Sequence, residues 1–359
     1  MDMSVSNFIR LNKVFIIWTA FAGLLYLFRD KFGLVFITFI MCFITHGLTS
    51  RRQRGPHRRR LLVVSIYSLF LVLVVFYMVF FVPRLMSEAK SFTEQLPSTL
   101  FTIEKWLEAQ VPEDSGLEPV LDRIRLMLTP EQLIIRGWTM GWGAMEKGLH
   151  YIAWFFLGLL FSFLIMLDLP RLARGFRELR FTRAAHIYEE TVDSVILFAK
   201  VVGENFRAQI LISTLNTILT AIGLAILGIK GTVLLCTMVF FCGLIPVLGV
   251  FISSVPIVLM AVNNGGVVLG LWAVVMITFI HMVEAYFLNP RIVSRVMRIN
   301  LVVTLIVLYI AHSLIGLWGM LLGVPTAVYI YRYLIRGEHQ EGGRNSASAK
   351  IADEADEAA

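Results

Sequence analysis

A succession of apolar runs constrains this chain more than any other feature. Residues 14–28, 32–48, 61–82, 151–167, 208–227 and 267–288 form six of them, and 232–262 and 301–331 are longer, at 31 residues each. Several continue for fifteen residues or more without a charge. Runs of this length suit helices crossing a hydrocarbon core about 30 Å thick. Of the 359 residues, 57% are hydrophobic and 16% charged, whereas a soluble domain is about half apolar and about a quarter charged. The implied fold class is all-α: a polytopic integral membrane protein with about eight membrane segments. Within a bilayer every backbone polar group needs a partner, and a helix supplies one internally.

The charges set the orientation. Arg10 and Lys13 precede the first run, which has no small-x-small cleavage site after it and reads as a retained helix. Arg29-Asp30-Lys31 leaves room only for an antiparallel joint to the next span. Arg51, Arg52, Arg54, Arg58, Arg59 and Arg60 then crowd between two spans and mark the cytoplasmic side. Both termini are expected there, in the cytoplasmic (inner) membrane. The net charge of +7 is carried by short loops beside spans, so nucleic acid is not the expected partner. Cys42, Cys236 and Cys242 all lie in apolar runs, with no spacing that suggests a metal site or a disulfide framework. No cofactor is implied.

Five regions follow. Residues 1–83 hold three spans, the third expected to end at Pro83. Residues 84–150 read as an extracytoplasmic helical region: 84–147 carries ten acidic and seven basic residues. Leu85, Ala89, Phe92 and Leu96 share one helix face there, a break is expected at Pro97, and Thr129-Pro130-Glu131-Gln132 has the pattern of a helix start. Residues 151–207 contain the fourth span, leaving the membrane near Asp168 and Pro170, and a basic cytoplasmic helix. Its Arg171, Arg174, Arg177, Arg180 and Arg183 recur every three residues, facing anionic headgroups or solvent. Residues 208–331 form the transport core, and 332–359 a disordered cytoplasmic tail.

Within that core two stretches repeat. GLIPVLGVFISSVP (243–256) and SLIGLWGMLLGVP (313–325) both give L-I-x-x-x-G and end in Val-Pro. Each interrupts one of the long runs with helix breakers: Pro246, Gly249 and Pro256 in one, Gly316, Gly319 and Pro325 in the other. A 31-residue helix would be about 46 Å long, more than the bilayer needs without strong tilt. Two re-entrant hairpins of opposite orientation, beside six full spans, are the preferred reading. They place the loop with Arg291, Arg295 and Arg298 in the cytoplasm, whereas two full crossings would put those arginines outside. Exposed backbone at the breaks could hold a small solute or ion; helix bending and close packing is the plainer role.

GENFRAQILISTLNTILTAIGLAILG (203–228), GLIPVLGVFISSVPIVLMAV (243–262) and VEAYFLNPRIVSRVMRINLVVTLIVLYIAHSLIGLWGMLLGVPTAVY (283–329) together resemble the autoinducer-2 exporter family of membrane permeases. The likeness covers about 130 residues. One departure is Ile299-Asn300-Leu301-Val302, where the family usually carries a proline shortly after the loop. The resemblance implies a secondary transporter without enzyme activity and a homo-oligomer, a pentamer. Some members are associated with autoinducer-2 export, others with sodium or lithium exchange for protons.

Glu284 is the most informative single residue, because a carboxylate in a span normally faces a cavity or a partner. His281, three residues earlier, shares its helix face; the pair could relay a proton or form a structural hydrogen bond. Glu204, Asn205, Gln209 and Asn216 cluster at the start of the fifth span. Gln209 and Asn216, seven apart, share a face that lines a polar path or binds a neighbouring helix. Lys200 and Glu204 are spaced to pair. Asn289 closes the set. No G-x-x-x-x-G-K-[ST], H-E-x-x-H or G-x-S-x-G motif accompanies them. Expected partners are the lipid bilayer and a small polar solute such as autoinducer-2, moved by alternating access. The alternatives are monovalent cation/proton antiport and a non-transporting membrane scaffold.

Overall fold

The computed structural model describes residues 23, 31–50, 56–110, 130–182, 185–288 and 300–331, and among them there is no strand. The helices are α1 (Phe32–Ser50), α2 (Pro56–Phe80), α3 (Val82–Gln110), α4 (Pro130–Glu178), α5 (Ala185–Ile226), α6 (Thr232–Gly243), α7 (Leu248–Val283), α8 (Leu301–Ile315) and α9 (Leu317–Tyr329). A π-helical turn, Glu284–Leu288, extends α7. The 14–28 span apart from Gly23, Arg51, Arg52 and Arg54, the loop 289–299 and the tail from 332 lie outside the described residues.

The protein is an all-α membrane protein. α2 shows why: Leu61, Val72 and Phe80 are 67%, 62% and 59% exposed. Apolar surface on that scale is stable against lipid but not against water.

Chain contacts divide the protein into two units. One comprises 31–175 and 206–294, the other 1–30, 176–205 and 295–359. In the larger unit α1, α2 and α4 pack around Val63, Tyr67, Leu159 and Met166. Gly158 lets α4 approach Ile37 of α1, and Arg59 donates to the Met166 carbonyl at 3.1 Å. A second core joins Leu224 of α5, Leu235 and Val239 of α6, and Ile257, Met260, Ala261 and Ala273 of α7, with Phe92 of α3 packed against it.

α5 ends in a tight reversal. Ile229 N–H reaches back to the Leu224 carbonyl and Gly228 N–H to that of Ala225, with Gly228 at φ 67°. This is the glycine-dependent helix stop in which left-handed backbone satisfies the last carbonyls. α6 then runs antiparallel to α5. The chain breaks over Leu244–Val247 and returns as α7, so that Gly249 abuts Cys242 and Gly231 abuts Met260. α7 itself reverses at Gly265 (φ −154°) and Gly266 (φ 75°), which brings Gly270 back against Val262 and the Val258 carbonyl. The expected full span at 267–288 is the arm that follows.

α6 and the first arm of α7 therefore form a helical hairpin, hairpin 1. At about 1.5 Å per residue α6 is about 18 Å long, too short to cross a core of about 30 Å. In the smaller unit α8 and α9 form a second, hairpin 2, with Gly319 against the Ala311 backbone and Gly323 against Val307. Asn300 accepts from Val302 N–H at 2.9 Å, so at the departure from the family pattern a side-chain cap opens α8. α9 packs on α5 through Val201, Phe198, Val328 and Tyr329.

Several prolines do less than their sequence positions suggest. Helix continues around Pro83, with Phe81 N–H bonded to Tyr77 and Leu85 N–H to Phe81. Pro97 lies inside α3 and Pro170 inside α4. Pro256 and Pro325 are likewise buried inside helices. Each removes one ladder hydrogen bond, which the flanking turns and packing tolerate. Of the six expected breakers only Pro246 and Gly316 sit in breaks. Gly249 and Gly319 are contact points between hairpin arms.

Candidate functional site

The site lies where α5, the tip of hairpin 1 and the end of α7 converge. Gln209, Ser213, Asn216 and Thr220 recur at intervals of four, three and four along α5, so they occupy one helix face. Gln209 Nε2 donates to the Gly243 carbonyl at 2.6 Å, and Ser213 Oγ donates to the Phe240 carbonyl at 2.5 Å. These are carbonyls at the C-terminal end of α6, which have no partner within the helix. α5 thus satisfies the backbone where hairpin 1 breaks.

The tip itself is strained. Leu248 N–H bonds to the Pro246 carbonyl at 2.7 Å, enclosing Val247 at φ 67°, ψ −59°. This is the rare positive-φ form of the γ-turn, adopted by a β-branched residue.

Further along α5, Asn216 Nδ2 donates to Glu284 Oε2 at 2.7 Å. His281 Nδ1 lies 3.1 Å from the same oxygen. The Glu284 side chain is only 17% exposed, at the first position of the π-helical turn. A π-turn rotates the side chains that follow it and often marks a functional position. With its amide nitrogen committed to Glu284, Asn216 points its Oδ1 elsewhere; that atom is buried and has no hydrogen-bond partner among the described residues.

Asn216 and His281 also line a cavity of about 30 Å³, together with Thr220, Ser253, Ser254 and the glycines Gly243 and Gly249. A space of this size holds a water or a small ion, not a solute of several heavy atoms. Its lining presents amide, hydroxyl and imidazole groups beside a carboxylate. That set can bind a proton, a water or a hard cation. Among the described residues no three His, Cys, Asp or Glu side chains gather as metal ligands.

The residues expected from sequence separate accordingly. Glu284, His281 and Asn216 meet directly, and Gln209 holds the adjoining tip. Glu204 is exposed and lies 4.0 Å from Lys200, while Asn205 is half-buried one position on; both fall in the smaller unit. Asn289 lies outside the described residues. In hairpin 2, Gly316 (φ 63°) makes the break, and its N–H bonds to the His312 carbonyl at 2.7 Å. Ser213, Thr220 and Val247 were not foreseen. The polar stripe along α5 is the signal that would have found the first two; no pattern marks Val247.

A family model described as "AI-2E family transporter" matches residues 15–337. A Bacillus subtilis protein named "Putative transport protein YdbI" is 26% identical over 350 residues, which is 95% of this chain and 97% of that protein. Another from the same organism, "Putative transport protein YrrI", is 30% identical over 142 residues, 38% of this chain and 40% of its own. A Halobacillus andaensis protein named "Sodium-lithium/proton antiporter" is 25% identical over 174 residues, 48% of each chain.

Proposed function

The chain belongs to the AI-2E family of transporters, and from that premise we propose that it is a secondary transporter working by alternating access, with Glu284 carrying the coupled proton or cation. The observation that carries this is the Asn216–Glu284–His281 contact beside the hairpin 1 tip. A carboxylate within a membrane helix normally faces a partner or a cavity, and among the described residues the partners of this one are a neutral amide and an imidazole beside a cavity. The tip gates access to it, and the broken backbone there can re-pair as it moves.

A monovalent cation exchanged for protons is the cargo that the site favours. The cavity has room for an ion, and a relative that matches 48% of the chain bears an antiporter's name. Export of a small polar solute such as autoinducer-2 is the second reading, favoured by the family description; it requires the cavity to widen as the tip swings away. The setting proposed for either is the cytoplasmic membrane, with both termini cytoplasmic and the chain in a homo-oligomer.

The test uses purified protein in liposomes loaded with a pH-sensitive dye and pulsed with sodium, lithium or potassium chloride. Sodium or lithium should drive proton flux, and Glu284→Gln should abolish it. Flux unchanged in Glu284→Gln would remove this residue from the mechanism. Cation-independent counterflow of autoinducer-2 in the same liposomes would favour the second reading.

A further inference from the structure

Hairpin 1 is gripped at both ends, and the two grips differ. At its tip the contacts are the neutral hydrogen bonds from Gln209 and Ser213. The tip contains the strained Val247, borders the cavity, and carries Phe251 and Val255 at 67% and 59% exposure. At its root α3 lies across both arms. Glu88 Oε2 accepts from Leu234 N–H at 2.7 Å, in the first turn of α6. Seven residues on, Gln95 Oε1 accepts from Asn263 Nδ2 at 2.5 Å, just before the Gly265–Gly266 reversal. Tyr77 of α2 and Thr237 share a third bond at 3.0 Å. Beside them sits an apolar core in which Leu224, Leu235, Ala261 and Ala273 are fully buried, with Phe92 of α3 against it.

A carboxylate bonded to an N-terminal amide interacts with the helix dipole as well as with the N–H, and such charge-assisted bonds are about twice as strong as neutral ones. The root is therefore the stiffer end. We propose that Glu88 is a positioning residue: it pins the root of hairpin 1 through α3 and leaves the tip as the part that moves over Asn216 and Glu284. The helix that reads in sequence as an extracytoplasmic appendage is then the fulcrum of the gate. This rests on the alternating-access reading only for what the movement accomplishes; the difference in stability between root and tip does not depend on any cargo.

Amide hydrogen exchange on the full chain in lipid nanodiscs tests it directly. In the wild type, peptides covering 231–238 should exchange at least about tenfold more slowly than those covering 242–250. Glu88→Ala should speed root exchange by about tenfold or more and leave the tip unchanged. Glu88→Gln keeps an oxygen acceptor and should recover part of the protection. A wild-type tip as protected as the root would overturn the proposal, and that comparison stands even if Glu88→Ala fails to fold. So would a folded Glu88→Ala whose root exchanges as in the wild type. Proton flux that fails to respond to Glu284→Gln would count against the coupling role of Glu284 without touching this result.

Discussion

Gly249→Ala should separate the arms of hairpin 1 and uncouple the site behind them. A Cβ at Gly249 would lie 2.5 Å from the Cys242 carbonyl carbon, closer still to its oxygen, and 3.0 Å from the Gly243 nitrogen. These are backbone atoms, so no side chain can rotate aside. Non-bonded carbons rest about 3.5 Å apart, so the arms must part by about 1 Å. Overpacking of this kind costs about 1–3 kcal/mol. The displaced segment includes Gly243, whose carbonyl accepts from Gln209, and losing that bond would add about 1 kcal/mol. The larger effect is on transport: a misplacement of about 1 Å at a positioned site can reduce rate by about 100-fold.

The matched control is Gly47→Ala in α1, where nothing lies within 4 Å of the added methyl. Alanine is the better helix former there by about 1 kcal/mol, so this variant should keep full flux and melt no lower than wild type. Both would be measured by cation-driven dye flux in liposomes and by thermal unfolding in detergent. If Gly249→Ala matches Gly47→Ala in flux and Tm, the close crossing of the hairpin arms is not what holds the site.

Two further outcomes follow from the same geometry. Asn216→Ala removes the nearest described donor to a partly buried carboxylate and should lower cation-driven flux by about tenfold or more, whereas Glu204→Gln, which loses only an exposed pair with Lys200, should stay within about twofold of wild type; flux assays on the two variants check both. Val247→Gly relieves positive-φ strain of about 1–3 kcal/mol, less the greater flexibility of unfolded glycine, and should raise Tm; a lower Tm would mean that the turn is not strained.

Legibility in the sequence tracked how local the governing physics was. The spans could be read because the bilayer dictates length and hydrophobicity residue by residue; α1 and the exposed apolar faces of α2 are examples. Gln209 and Asn216 could be placed on one face because helical periodicity is local. The Asn216–Glu284 bond joins residues 68 positions apart and depends on how α5 packs against the last arm of α7, which periodicity does not encode. Glu88 was hidden for a different reason: among the charges of 84–147 it resembles a solvated residue, and only the docking of α3 turns it into a cap for α6.

The repeated motif shows why proline and glycine cannot be read alike. In each hairpin the break comes first, at Pro246 or Gly316. The glycine three residues later, Gly249 or Gly319, crosses the preceding arm where backbone meets backbone. The proline nine or ten residues past the break, Pro256 or Pro325, stays within the returning arm. Only the first needs non-helical backbone, the second needs the absence of a Cβ, and the third deletes one hydrogen bond from a helix that packing already holds. The tips nevertheless solve the break differently: Gly316 adopts its positive φ at little cost, whereas hairpin 1 places Val247 there. Strain of this kind persists only when surrounding contacts outweigh it, and at Val247 those contacts include the bonds from Gln209 and Ser213 to the end of α6. The strained tip is thus the one that borders Asn216 and His281, and under the proposed gating, loosening those bonds and opening the cavity would be parts of a single movement.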